Sequence, residues 1–550
     1  MHHHLLLVTT AALGLSLVPS LDVARAQQAS RPYALPIGEV GRASPTDGTF
    51  GIDVGPDGHL YVASPLRNEI LVLDRESGEI LRRIGAESGV DGPDDVEVAD
   101  DGAVYWTSPV AGTVGVRMPD GTARTQFVAA GLNPITIKED GRIFVAAAFT
   151  QAGLFEIDPQ LLAAPRVILP DIVGLNGFDF GRDGWLYSPS TATGQVVRID
   201  VDASPPRVET VATGLEFPGA VAFDAQDRLY VTDAGKGQVF RVDRRTGALT
   251  KLLDIEGTLD NIALADDGRL YATALGDAQV LTLERSGRVR SLTRPGLFAP
   301  CGLAVDGAGA VWVADLFSLR RMSPHWPAPL SSFYALLGIE ATVDRAMTID
   351  VQDGELLVTT LNNGGVVQRI DPENGDVLGA QLDFYGPSNG VYHDDDIAIA
   401  QVFSGDVVRG SDRSVLIENL VVPLGLASRG KELFVGDWGT GMIWSVLGDA
   451  APRMLASGLR QPKGLAVSGD WLFVVEAGAD RVAAIHLPTG SVHGLIALDL
   501  DDPLPKVGAP PYGLPGGIAV DATRGRLYVS SDRTNQVLAY RLLMPPPPRR

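Results

Sequence analysis

The stretch GIDVGPDGHLYVASPLRNEILVLDRESGEILRRIG, Gly51–Gly85, holds four short runs, GIDV, LYVAS, EILVLD and ILRRI. Each run is rich in β-branched and aliphatic residues and bounded by turn formers, so the unit predicts four antiparallel strands. Asp57-Gly58 separates the first two runs, and Asp-Gly returns at Asp101-Gly102, Asp140-Gly141, Asp183-Gly184, Asp267-Gly268 and Asp353-Gly354. The pairs are read as structural, supplying the positive φ that a two-residue hairpin turn demands. Working outward, the first strand of the unit restarts near Asp95, Pro134, Gly177, Ala220, Asn261, Gly302, Met347, Gly390, Gly425, Gly464 and Gly517. The eleven intervals average about 42 residues, the period of a propeller blade.

Twelve four-stranded blades are too many for one ring, which closes with four to eight. The expected fold is therefore all-β, two tandem six-bladed β-propellers, spanning 45–297 and 298–543. The junction is placed at Thr293–Leu297 (TRPGL), because the sixth unit completes its fourth strand, VRSLT. A seven-plus-five split is the alternative, since the insert HWPAPLSSFYALLG at His325–Gly338 interrupts the seventh unit. The twelfth unit stops after its third strand, QVLAYRLL, and needs a fourth from elsewhere. The ALPIGEV stretch near the N-terminus is the candidate.

The 550 residues carry 45 basic and 67 acidic side chains, a net charge of −22 that repels nucleic acid and anionic lipid. Solubility and the many Asp-Gly turns account for most of that acidity. Residues 1–27 read as a secretory signal peptide, with an apolar run from Leu5 to Val18 and cleavage near Ala26, although three histidines stand where Lys or Arg is usual. A periplasmic or secreted location follows. No other segment has the roughly 18 apolar residues of a membrane span. The single cysteine, Cys301, forbids an internal disulfide. The Pro-rich tail 544–550 is extended and has no assigned role.

In a propeller the inner strand of each blade begins at the central channel, so the residue before each first strand is expected to face the axis. In the first six units these are Phe50, Asp94, Asn133, Asn176, Gly219 and Asp260. Two carboxylates and two amide carbonyls make a hard-oxygen cage suited to Ca2+ or another divalent cation. Asp and Asn also cap loop-to-strand joints, so each alone would be structural. Their coincidence in one ring points to a metal site at Asp94, Asn133, Asn176 and Asp260. Asp95 and Asn261 follow two of these directly and are candidates for supporting contacts. Asp233 and Asp315, closing VTD and VAD strands, are read as turn caps. The second ring offers Cys301, Ala346, Asn389, Leu424, Lys463 and Gly516, which suit no divalent cation.

The segments GLNGFDFGRDGWLY around Asn176 and GTLDNIALADDGRLYATA around Asp260 resemble the metal-bearing loops of the regucalcin/gluconolactonase family and its paraoxonase relatives. The resemblance covers about 45–297 and implies a central calcium held by acid, Asn, Asn and acid in chain order, here Asp94, Asn133, Asn176 and Asp260. The family skips a blade between its first and second ligands, whereas this chain skips the Gly219 blade. The resemblance further implies metal-dependent hydrolysis of a small ester or lactone, with Asp260 as the proton acceptor from water. No histidine is placed at this mouth, since His59 lies by the Asp57-Gly58 turn, and no Gly-x-Ser-x-Gly nucleophile motif occurs. A second class stays open: an exported, non-catalytic binding or scaffolding module. There the cation is structural, and a protein partner docks on the second propeller or its insert with Trp326, Phe333 and Tyr334. A third reading, a streptogramin-type lyase, would draw on Asn389, His393 and Asp394–Asp396, which look more like a turn between strands.

Overall fold

A computed structural model describes residues 31–545 except 149–150, 256, 285, 324–329, 333–344, 361–364, 449, 499–515 and 532. The signal segment, most of the insert with Trp326, Phe333 and Tyr334, and the last five residues lie outside the described residues. The described chain forms twelve four-stranded antiparallel sheets, each built from strands consecutive in sequence except the last. The second strand of nearly every blade is buried along its length, as in Leu60–Ser64, Val104–Ser108 and Leu229–Asp233. Each such strand has a neighbouring blade on both faces, which is why it reads as an unbroken apolar run rather than an alternating one.

The blades divide six and six. The first strand of blade 1 (Ile52–Val54) lies beside that of blade 6 (Leu259–Leu264), and the first strand of blade 7 (Pro300–Val305) lies beside that of blade 12 (Ile518–Asp521). Apolar wedges fill the space between blades: Ile52, Leu60, Val62 and Leu71 meet Ala263, Tyr271 and Val280 across the first closure. Leu303 and Val313 meet Tyr528 and Val537 across the second. The insert leaves blade 7 complete, because Ser331–Ser332 supplies its fourth strand.

The twelfth blade takes its outer strand from the N-terminus: Tyr33–Gly41 pairs antiparallel with Gln536–Leu543, from Tyr33 opposite Leu543 to Gly41 opposite Val537. The described chain therefore leaves the second ring after Gly41, crosses to the first, and returns at Leu297. The two crossings run side by side, with Leu297 N donating to Arg42 O at 2.8 Å and Ser44 N to Leu297 O at 2.9 Å. Gly296 is required there, since a Cβ would sit 2.2 Å from the Ser44 amide nitrogen. Around the crossings the rings pack Phe50, Leu66 and Leu275 against Phe298, Cys301, Phe317 and Met347. Arg320 of blade 7, fully buried, pairs with Asp277 of blade 6 at 2.7 Å.

The Asp-Gly turns correct the sequence reading in form. Only Asp353-Gly354 is a two-residue turn, with φ of +52° and +83° and Gln352 opposite Glu355. The other five are three-residue loops in which the glycine alone is left-handed, as at Gly58 (φ +79°), whose amide reaches Gly55 O at 2.9 Å. The Asp folds back on the chain instead: Asp57 Oδ1 accepts the His59 amide at 3.1 Å. This Asx contact suits a type I turn closed by a left-handed glycine.

Two outcomes test this architecture. Removing residues 1–42 strips the outer strand from blade 12, and calorimetry should show one thermal transition falling by about 10 °C, the size expected for several kcal/mol in a ring this large. Arg320→Ala, which removes a buried cation bonded to Asp277, Gly276 O and Ser318, should cost about 3–5 kcal/mol in chemical denaturation.

Candidate metal centre in the first ring

The inner strand of each blade has one edge paired to its own sheet and one edge open to the channel, whose amides need acceptors. At the mouth of the first ring, Asp94 precedes the first strand of blade 2 (Val96–Val98), and Asn133 lies in that of blade 3 (Leu132–Ile137). Asn133 Nδ2 donates to Asp94 Oδ2 at 2.5 Å. Burial pushes the Asp94 carboxyl well above the ordinary carboxylate range, and the nearby charges of Asp260 and Asp95 push it further. The fold thus gathers Asp94, Asn133 and Asp260. Asn176 is engaged within its own blade: its Oδ1 accepts the Gly177 amide at 3.0 Å and its carbonyl accepts Ser188 Oγ at 3.1 Å. Phe50, the axis position of blade 1, packs edge-on against Phe317 of the second ring, 5.8 Å between centroids.

Below the mouth a second set of carboxylates, unforeseen as a set from the sequence, laces the inner strands together. Asp53 Oδ2 accepts the Val98 amide of the next blade at 2.8 Å, and Asp95 Oδ2 accepts that of Ile135 at 3.1 Å. Glu97 Oε1 accepts the Ile137 amide at 3.3 Å and Asp179 Oδ2 that of Phe223 at 2.8 Å. Asn261 Nδ2 adds a bond to Asp95 Oδ1 at 2.9 Å, bringing together the two residues expected to give supporting contacts. Desolvation raises Asp53 to about 6 and both Asp95 and Asp179 to about 7, against the lowering effect of the amides they accept. Burial and the charges of Asp53, Asp179 and Asp95 raise Glu97 as well. The signal was an acid in the middle of strands GIDV, VEV and GFDF, where acids are depleted. Asp233 and Asp315 take local amides: Asp233 those of Glu216 and Phe217, Asp315 those of Phe298 and Ala299.

Among the described residues no group of three or more His, Cys, Asp or Glu side chains is arranged to hold a metal ion. The donor set at the mouth is instead two carboxylates with an amide, Asp94, Asp260 and Asn133. Asp94 lies near two other acids, Asp95 and Asp260, whose charges oppose its ionisation. That chemistry fits a hard divalent cation, which relieves carboxylate repulsion that burial aggravates.

The second ring differs in substance. In blade order Ala304 and Ala427 stand where the first ring has Asp53 and Asp179, Ala466 and Ala519 match Ala222 and Ala263, and a cavity of about 640 Å³ remains along the second ring's axis. His393 pairs with Asp396 across a turn whose residues Asp394 and Asp395 have φ of +50° and +61°.

No family model and no curated protein matches the chain. Among solved structures it is similar to virginiamycin B lyase from Staphylococcus aureus, at 16% identity and a TM-score of 0.38, covering 52% of this chain and 96% of that one. It is also similar to a protein described as a "putative gluconolactonase", at 14% identity and a TM-score of 0.37, covering 48% and 93%. A third is hydrazine synthase from Kuenenia stuttgartiensis, at 16% and 0.37, covering 51% and 97%. At identities this low, none of the three assigns an activity to the chain.

The buried acids make a pH prediction. Their folded pKa values lie above their ordinary ones, so protonation favours the fold, and stability present below about pH 4 is lost as pH rises through 6 to 7. Calorimetry in chelator should show the melting temperature falling between pH 4.5 and 7.5, the reverse of the rise expected from carboxylates held by salt bridges. Divalent cation should offset part of the fall.

Proposed function

We propose that the chain is an exported, divalent-cation-dependent hydrolase of a small ester or lactone, with its site at the mouth of the first ring. The observation that carries this reading is the contact of Asn133 with Asp94 beside the like charges of Asp260 and Asp95. Asp94, Asp260 and Asn133 would hold the cation, calcium being the best match to oxygen donors, and Asn176 would join from blade 4. Such a cation, when bound, polarises a carbonyl and stabilises the oxyanion formed from it. Asp260 accepts the proton of the attacking water as general base. Asn133 orients Asp94 through its amide, and the Asp95–Asn261 pair fixes blades 2 and 6 against each other beneath the mouth.

A second reading, a binding module with a structural cation, draws on Asn176, whose oxygen is already taken by the Gly177 amide, and on Phe50, which faces the second ring rather than a ligand. In this reading the cation fastens blades 2, 3 and 6, and the second ring meets a protein partner.

Metal analysis of purified protein, followed by an ester and lactone panel with and without chelator, separates the two. The hydrolase reading expects turnover that chelator abolishes while the fold survives. Asp260→Asn should lower kcat by about 10²–10⁴, and Asp94→Asn should weaken cation binding by about tenfold or more. Bound metal with no turnover on any member of the panel overturns the hydrolase and leaves the module. Full metal occupancy in Asp94→Ala and Asp260→Ala removes both readings of this site.

A further inference from the structure

Where the second ring lies farthest from the first, a serine and a histidine are in contact. Cys301 and Met347, near the starts of the inner strands of blades 7 and 8, pack under the first ring. His393 is the last residue of the inner strand of blade 9, Pro387–His393, and Ser428 is the last but one of that of blade 10, Pro423–Arg429. Both therefore stand at the opposite end of the channel, and they meet across the blade boundary with 2.9 Å between His393 Nδ1 and Ser428 Oγ. Both also line the cavity of about 640 Å³, whose walls are mainly Gly, Ala, Val, Leu and Ile and whose size suits a small molecule.

A hydroxyl bonded to an imidazole is the arrangement of a nucleophile and its base. His393 is 4% exposed, and burial holds its pKa below the ordinary value, so the neutral ring can accept a proton. Asp394 and Asp396 favour the imidazolium that acceptance forms, while Arg409, on strand Asp406–Arg409, opposes it. Ser428 is half-buried, the more exposed of the pair. Beyond it the hairpin turns at Gly430 and Lys431, which line the same cavity, and Lys431 comes within 3.7 Å of Asp394. In the first ring the bonds between neighbouring inner strands run from backbone amides to carboxylates. Here two side chains of complementary reactivity meet instead, beside open volume.

We propose that Ser428 and His393 form a second, cation-independent catalytic site, which cleaves small esters with an apolar acyl group through a covalent serine ester. Ser428 Oγ bonds to the ester carbonyl carbon as its proton passes to His393 Nδ1, and the Lys431 ammonium meets the negative oxygen that forms. The bond from that carbon to the alcohol oxygen then breaks, and the imidazolium returns the proton to the departing oxygen. Water repeats the sequence at the serine ester, releasing the acid and restoring the hydroxyl. The acyl chain lies against the aliphatic walls of the cavity. The site goes beyond the cation centre of the first ring and stands without it.

A fluorophosphonate, which esterifies an activated serine with loss of fluoride, tests it on the full chain in chelator, with the adduct located by peptide mass spectrometry. The adduct is expected on Ser428, together with chelator-resistant hydrolysis of para-nitrophenyl butyrate that the reagent abolishes. Ser428→Ala should lose both. His393→Gln should slow labelling by about 10²-fold or more, and Lys431→Met by about tenfold or more. Should His393→Gln fail to fold, the pH dependence of labelling in the unaltered chain takes its place: the rate should climb to a plateau with a midpoint below about 6.5, the ordinary histidine value. No adduct on Ser428, labelling unchanged in folded His393→Gln, or a rate that rises with pH without a plateau overturns the proposal and leaves the bond as a lace between blades 9 and 10. Turnover lost to chelator belongs to the first ring and turnover lost to the reagent belongs to the second, so the two readings fail separately.

Discussion

Every blade of this protein leaves one strand edge facing the channel, and an unpaired amide buried there costs free energy unless an acceptor reaches it. In the first ring that acceptor is a carboxylate from the preceding blade, at Asp53, Asp95, Glu97 and Asp179. Each side chain therefore fixes the rotation of one blade against the next. The cost is electrostatic. Acids that accept amides while deprived of water are raised toward neutrality, and they raise one another. The cation proposed for the mouth would answer the same negative charge.

The second ring solves the problem differently. One carboxylate, Asp350, makes the equivalent bond, to Tyr392, and alanines occupy four of the matching positions. Small residues line a cavity of about 640 Å³ along its axis. A hydrophobic ledger alone would treat alanine there as lost packing, but the space so left is what a ligand needs. The two rings thus share blades, turns and strand order while dividing their chemistry, one concentrating charge and the other volume.

Their union rests on chain topology. The outermost strand of blade 12 comes from Tyr33–Gly41, so the second ring is incomplete until the N-terminal segment has docked. The first ring hangs between two adjacent crossings pinned by Ser44, Gly296 and Leu297. Phe50, Phe298 and Phe317 and the buried Arg320–Asp277 pair then hold the rings face to face. Breaking that ion pair from one side would strand a charge, which favours a fixed interface over a sliding one.

The blade count, the four strands of each blade and the borrowed strand were all legible in the sequence, because each is written in local pattern: apolar alternation, Asp-Gly punctuation and a missing final strand. The exact turn form was not, since Asp57-Gly58 and Asp353-Gly354 read alike while differing by one residue in the loop they close. Of the candidate site, composition at the axis positions singled out Asp94, Asn133, Asn176 and Asp260. The contacts among them depended on which blades touch. Asp94 meets Asn133 from 39 residues away, and Asn261 reaches Asp95 from 166. Such pairings follow from the closure and rotation of the ring, which no local stretch encodes. The sequence by itself determined what each blade is; the tertiary structure decided which acid faces which amide, because that depends on how neighbouring blades close around an axis.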